Sequence, residues 1–260
     1  MEAACRIARE FAARLVGVYL VPTPEITPSV SALLPDSIVI QRLAESGEAQ
    51  SRAEERFRAA ASDAALVAVE WRAPAGNPAQ AIVAHSRGAD LAVIGQPDPA
   101  DPDSSFAADL ANAIILASGR PVLVIPYIGV QGTIGATALI GLDRSRESAR
   151  AVADALPLLV RAGTVIVLSI TAAAEDTLGD TQARAQVVAH LRGHDIEAEV
   201  RHIDLPDIGI GELLLSQAAD SGADLIVMGA YGHARFQEQV LGGVTRTMLE
   251  AMTVPVLMSH

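Results

Sequence analysis

The sequence predicts an α/β fold made of two tandem open sheets of mainly parallel strands. Short aliphatic runs alternate with longer amphipathic stretches along the whole chain, the pattern of strands joined by right-handed helical crossovers. Half the residues are hydrophobic but only 3 % are aromatic, so the cores are built from Ala, Val, Leu and Ile. That palette suits helices packed on buried parallel strands. An internal repeat sets the domain count. Gly88-Ala-Asp-Leu-Ala-Val-Ile-Gly95 returns as Gly222-Ala-Asp-Leu-Ile-Val-Met-Gly229, and Pro121-Val-Leu-Val returns as Pro255-Val-Leu-Met. Both pairs share one offset, 134 residues (88 to 222, 121 to 255), so the loop and helix between them have equal length in each half. The domains are residues 1–130 and 131–260, a size ordinary for single domains.

In the first half, Met1 to Ala13 spaces apolar residues at helical intervals between charges. Leu15 to Val21 is a strand closed by Pro22 and Pro24, and the four prolines of residues 22–37 mark a loop. Ile38 to Ala61 is a helix with mixed charges on one face, and Ala65 to Trp71 a strand. Pro78 to Ser86 is a short helix and Ala89 to Ile94 a buried strand. A Pro- and Asp-rich loop over 96–103 leads to a helix capped by Ser104 or Ser105 and running to about Ser118. Pro121 to Ile125 is the last strand, and Tyr127 to Gly135 the linker.

The second half opens with a strand from Ala136 to Leu142 ending at Asp143. Arg144 to Val160 is a helix, Thr164 to Ile170 a strand, and Thr181 to Gly193 a helix after a polar loop. Ile196 to Ile203 alternates with polar residues, as a strand near a sheet edge does. A helix follows Pro206 to Gly209 and reaches Ser221; then come strand 224–228, a glycine-rich loop, a helix through Met252 and strand Val254 to Ser259.

Composition excludes several roles. The formal charge of −12 argues against nucleic acid or an anionic membrane as the main partner. The lone cysteine, Cys5, cannot form an intrachain disulfide and reads as a small buried side chain. No apolar run reaches the roughly 18 residues of a membrane span, and the charged first twenty residues lack a signal-peptide centre. A cytoplasmic location is the expectation.

The stretch most suggestive of chemistry runs from Gly229 to Thr245. Gly229 and Gly232 let the backbone turn tightly after an apolar strand, and Gly242 and Gly243 open the next helix. The first amides of a helix lack partners within it and attract anions. Two residues separate Gly229 from Gly232 and nine separate Gly232 from Gly242. This spacing resembles the G-x2-G-x9-G-[ST] signature of the universal stress protein family, with Gly243 in the Ser/Thr place.

The resemblance implies Rossmann-like, adenine-nucleotide α-hydrolase-like domains with strand order 3-2-1-4-5. It implies that Gly141, Leu142 and Asp143 meet the adenine side of a pocket, with the backbone of Ile170. Gly229, Gly232, Gly242, Gly243, Val244 and Thr245 take the ribose and phosphates. His233 and Arg235 in the same loop have two readings, an approach to the phosphates and, the favoured one, a solvated place on the surface. Adenine nucleotide, ATP or AMP, is the implied ligand, and regulation in stress physiology the implied role. Asp143 has a second reading as cap of the helix beginning near Arg144. Gly243 removes a hydroxyl that meets a phosphate, which weakens binding about ten- to hundredfold at roughly 1.5–3 kcal/mol; the amide of residue 243 and Thr245 offer compensation. In this family the terminal strand pairs between protomers. Here Val254 to Ser259 is expected to pair the two halves as an intrachain pseudo-dimer, or two chains as a homodimer.

At the 134-residue offset Asp98 stands in place of Gly232, Ala108 of Gly242 and Asp109 of Gly243. A carboxylate about 4 Å from a phosphate costs on the order of 4 kcal/mol at an effective dielectric near 20. A helix terminus returns roughly 0.3–1 kcal/mol. The first copy is therefore degenerate and not expected to hold a nucleotide. It also lacks its first strand. Val21 aligns with Ile170 at an offset of 149, which puts the counterpart of Asp143 ahead of residue 1.

No catalytic residues emerge, since there is no nucleophile elbow and the glycine loop lacks the Lys-Ser/Thr ending of a P-loop. No metal site is expected either: His85, His190, His194, His202 and His260 have no tight ligand spacing. Two rival functions remain open. One is an interaction module with a relic glycine loop, and the other a slow ATP-hydrolysing enzyme.

Overall fold

The computed structural model describes residues 1–20, 36–101, 104–171, 178–204, 209–232 and 243–260. It is an α/β protein whose strands pair in parallel except at one junction. Contacts divide it into two compact units, residues 1–88 and 89–260. The repeat divides the chain at 130/131 and the contacts divide it at 88/89, and the strand pairing explains the difference.

The first unit contains α1 (Glu2–Glu10), β1 (Leu15–Val18), α2 (Asp36–Asp63), β2 (Val69–Arg72) and α3 (Pro78–Ser86). β1 and β2 pair in parallel, Leu15 opposite Val69, as a sheet of their own. Helix α1 buries Ala3, Cys5, Ile7 and Ala8; burial pushes the Cys5 thiol up, away from thiolate chemistry. Gly17 is needed in β1, because a Cβ there would lie 2.8 Å from the rings of Phe57 and Trp71. The second strand starts four residues later than its hydrophobic run. Residues 64–66 instead wrap the end of α2, with Ala65 at φ +54 and the Leu66 amide donating to the Ala61 carbonyl.

The second unit holds β3 (Ala92–Gly95), α4 (Ser104–Ala117), β4 (Val122–Ile125), β5 (Thr137–Leu142), α5 (Arg146–Leu159) and β6 (Thr164–Thr171). There follow α6 (Leu178–Arg192), β7 (Ala198–Asp204), α7 (Ile210–Ser221), β8 (Leu225–Gly229), α8 (Gly243–Ala251) and β9 (Val256–Ser259). Seven strands form one sheet in the order β3-β4-β9-β8-β5-β6-β7. Read within the second copy this is 3-2-1-4-5, as the resemblance implies. The first copy's strands are shared between two sheets: β1 and β2 pair only with each other, while β3 and β4 extend the second copy's sheet. No described strand of the first copy corresponds to β5. Because β4 joins β9, the boundary drawn by contacts falls ahead of β3 rather than in the linker.

The junction is antiparallel, Val122 opposite Met258, Leu123 opposite Leu257 and Val124 opposite Val256, and its side chains are buried. The two copies of one chain thus pair through their last strands. The core is aliphatic throughout, with Leu139, Ile140, Ile166, Leu168, Leu225 and Ile226 among its fully buried side chains. Strand β7 lies at the sheet's far end, where exposed Glu199 pairs with half-buried Arg201. The cap expected of Ser104 or Ser105 is not seen, since both lie inside the first turn of α4. At the amino edge of the sheet, Asp224 accepts hydrogen bonds from the Thr133 hydroxyl (2.8 Å) and the amides of Gly135, Ala136 and Thr137. These fix the end of the linker where β5 begins.

Candidate functional site

Strand β5 is where the order of the second copy reverses. It pairs in parallel with β6 on one side and β8 on the other, Leu142 opposite Ser169 and Gly141 opposite Met228. In open α/β sheets such a switch point leaves a crevice beyond the carboxyl ends of the strands. Gly141, Leu142, Asp143, Ile170 and Gly229 all reach this edge, on three adjacent strands.

The turn from β5 into α5 decides the role of Asp143 in the fold. The helix starts at Arg146, and its cap is Ser145, whose Oγ accepts from the Ser148 amide at 3.0 Å. Asp143 stands one step behind. Its Oδ1 accepts from the amide of Ser145 (2.8 Å) and from that residue's hydroxyl, and its own amide donates to Ser148 Oγ. Asp143 therefore orients the capping residue instead of capping the helix itself.

The start of α5 is pressed against the loop after β8, and this explains two of the motif glycines. A Cβ at Gly229 would lie 2.5 Å from the Ser148 amide nitrogen and 2.7 Å from the Glu147 carbonyl carbon. A Cβ at Gly232 would lie 2.8 Å from Ser145 Oγ and 3.0 Å from Glu147 Oε2. At Gly229 a side chain would meet backbone, whereas at Gly232 it would displace the ends of the Ser145 and Glu147 side chains. Glu147 is only 4 % exposed and pairs with the exposed Arg146. Burial pushes its carboxyl up, but the hydrogen bonds from Arg146 and the backbone, with the charges of Arg146 and His260, leave it below the usual range. A carboxylate thus sits beside the loop.

Between the glycines, Ala230 and Tyr231 are held from several directions. The Ala230 amide donates to the Ser259 carbonyl, and its own carbonyl meets His260 Nδ1 at 3.0 Å. Tyr231 adopts φ +61, donates its hydroxyl to Asn112 Oδ1 on α4, and sets its ring edge-on to His260. Burial pushes the Tyr231 phenol up, keeping it a donor. Thr245, 2 % exposed, receives the Tyr231 amide on its hydroxyl at 3.4 Å. That hydroxyl accepts from the loop's own backbone and keeps its O–H as a donor. Helix α8 begins at Gly243 itself, which is exposed and has no described atom within 4 Å of the place a side chain would occupy. Val244 follows, half-buried. His233, Arg235 and Gly242 lie outside the described residues.

Beside Asp143 a cleft of about 610 Å³ opens between α5 and α6, walled by Ala149, Val152 and Val187 and rimmed by Gln182, Gln186 and His190. Among the described residues no group of three or more His, Cys, Asp or Glu could hold a metal, and no helix is long and apolar enough to cross a membrane. Sequence reasoning missed Ser145, Glu147, Tyr231, Asn112 and His260. Ser145 had a signal, a capping residue directly ahead of a helical pattern; Asn112 and Tyr231 are 119 residues apart and had none.

The sequence model of the Universal stress protein family matches residues 136–260, the half that carries the switch point and the glycine loop. No curated protein matches the chain. Among solved structures, a universal stress protein from Archaeoglobus fulgidus DSM 4304 is similar over 99 % of this chain and 91 % of its own, at 16 % identity and a TM-score of 0.70. A functionally unknown protein from Pseudomonas aeruginosa PAO1 is similar over 97 % of this chain and 84 % of its own, at 14 % identity and a TM-score of 0.55. At these identities the likeness speaks for the fold of the whole chain. Residues 136–260 are a universal stress protein domain.

Proposed function

We propose that the chain is a regulatory protein of the stress response that binds an adenine nucleotide, ATP or AMP, at the carboxyl edge of its second sheet. It works in the cytoplasm and performs no chemistry on the ligand. Asp143 and the backbone of Gly141, Leu142 and Ile170 receive the base, next to the cleft between α5 and α6. The segment of Gly229, Gly232, His233, Gly242, Gly243, Val244 and Thr245 receives the ribose and phosphates. The observation that carries this reading is the start of α8 at a sheet switch point, where no described atom lies within 4 Å of the place a side chain on Gly243 would occupy. The cleft volume falls within the range of small-molecule sites, roughly 300–1,000 Å³.

A second reading, an interaction module with a relic loop, is favoured by a different observation. Gly229 is already required by the packing of α5, and the Glu147 carboxylate lies against Gly232. Isothermal titration of the full chain with ATP, ADP and AMP separates the two. Nucleotide binding is expected to give measurable heat, and Gly243→Ser to strengthen it about tenfold by supplying a hydroxyl worth about 1.4 kcal/mol. The open space at Gly243 admits that side chain. No heat at millimolar nucleotide from either protein favours the relic.

A further inference from the structure

Strand β3 ends the seven-stranded sheet, and almost the same octapeptide forms β8 in its interior. In β8, Leu225, Ile226 and Val227 are 0 % exposed. Their counterparts at the 134-residue offset, Leu91, Ala92 and Val93, are only half-buried, as is Ile94, and Gly95 is exposed. Strand β8 has β5 beside it and α5 packed on it, and β3 has no described strand on that side.

The main chain shows which groups face outward. The Ala92 amide donates to the Pro121 carbonyl at 3.0 Å and the Gln96 amide to the Ile125 carbonyl at 2.7 Å, both toward β4. Strand geometry alternates, so Val93 and Gly95 turn their N–H and C=O groups to the outer edge. Their counterparts Val227 and Gly229 turn theirs toward β5. Main-chain groups repeating every second residue beside aliphatic side chains match one kind of occupant, another extended polypeptide.

We infer that the outer edge of β3 is an acceptor for an extended aliphatic peptide segment that runs parallel to it, in the place β5 holds beside β8. The repeat supplies both direction and register. Ala138, Leu139, Ile140 and Gly141 lie opposite Leu225, Ile226, Val227 and Met228. The incoming segment therefore sets four residues of that kind opposite Leu91, Ala92, Val93 and Ile94. The inference is independent of nucleotide binding.

The probe is a fluorescent peptide with the sequence of residues 136–143 and a lysine tail for solubility, titrated into the full chain and followed by anisotropy. Saturable binding is expected, at least tenfold weaker for Val93→Pro. That proline removes an outward N–H and leaves the Ala92 and Gln96 bonds to β4 intact, since an edge strand tolerates proline where its N–H faces outward. Should Val93→Pro fail to fold, a peptide N-methylated at alternate residues tests the same ladder from the other side, and it is expected not to bind. Absence of saturable binding overturns the inference, as does equal binding by Val93→Pro or by the N-methylated peptide. Sedimentation of the native chain as a dimer that Val93→Pro splits into monomers also overturns it, by giving the edge to a second copy.

Discussion

The loops after β3 and β8 begin from almost the same octapeptide and are put to opposite uses. In the second copy Gly229 faces the first turn of α5, and a Cβ would overlap its backbone at 2.5 Å. In the first copy Gly95 has no described atom within 4 Å of the same place. The next position is Ala230, fully buried, in one copy and Gln96 in the other. Gln96 is 5 % exposed; its amide donates to the Leu249 carbonyl at 2.9 Å and its carbonyl accepts from the Tyr127 amide at 3.1 Å. Three residues on, Gly232 meets Ser145, whereas Asp98 folds back to accept the Ala100 amide within its own loop. The lesson is that a repeated glycine need not carry a repeated reason. One makes room for a helix, and the other faces no described neighbour.

Breaking that contrast at its strongest point means adding the same methyl group to both copies. Gly229→Ala forces backbone against backbone and is expected to destabilise the chain by about 1–3 kcal/mol, or more if α5 cannot shift. Gly95→Ala is expected to stay within about 0.5 kcal/mol. Urea unfolding of the two variants decides it, and equal effects would remove the packing explanation. A step down in size is Gln96→Ala, which strands the Leu249 carbonyl and the Tyr127 amide. A loss of about 1–3 kcal/mol is expected, the penalty of buried unpaired groups; a neutral result would mean water replaces the side chain.

The smallest effect concerns pH. Glu147 has its carboxyl held below the usual range in the folded chain. The native state then binds fewer protons than the unfolded one near the ordinary carboxyl range. The associated stability is present above about pH 4.3 and is lost as pH falls through the folded value. The stability gap between the native chain and Glu147→Gln is expected to be widest at neutral pH and to narrow in acid. Urea midpoints at neutral and acid pH measure it, and a gap that widened toward acid would contradict the assigned pairing with Arg146.

Much of the architecture was legible because it repeats. The octapeptide and tetrapeptide located four strands at one offset, the missing opening strand followed from a second offset, and the alternation of β7 marked its edge. Boundaries were less legible where backbone geometry overrides hydrophobicity. Ala65 and Leu66 read as strand, yet they close the end of α2 through local hydrogen bonds. The site was legible as a place and not as a set of contacts. A glycine in sequence does not reveal whether it admits a ligand or a neighbouring helix. Asp143 and Ser145 are both good capping residues two positions apart, and only their geometry separates them. The bond from Tyr231 to Asn112 joins the two copies, and a long-range pair of this kind leaves no local pattern.

The antiparallel seam between β4 and β9 lies within one polypeptide. Two identical protomers meeting across such a seam would carry every substitution twice, once on each side, and dilution would part them. A single chain is free of both constraints. Its halves face each other at a fixed effective concentration, and a residue suited to support on one side need not appear on the other. Gln96 opposite the end of α8, with alanine at the matching position 230, is a division of labour that only a fused pair can hold.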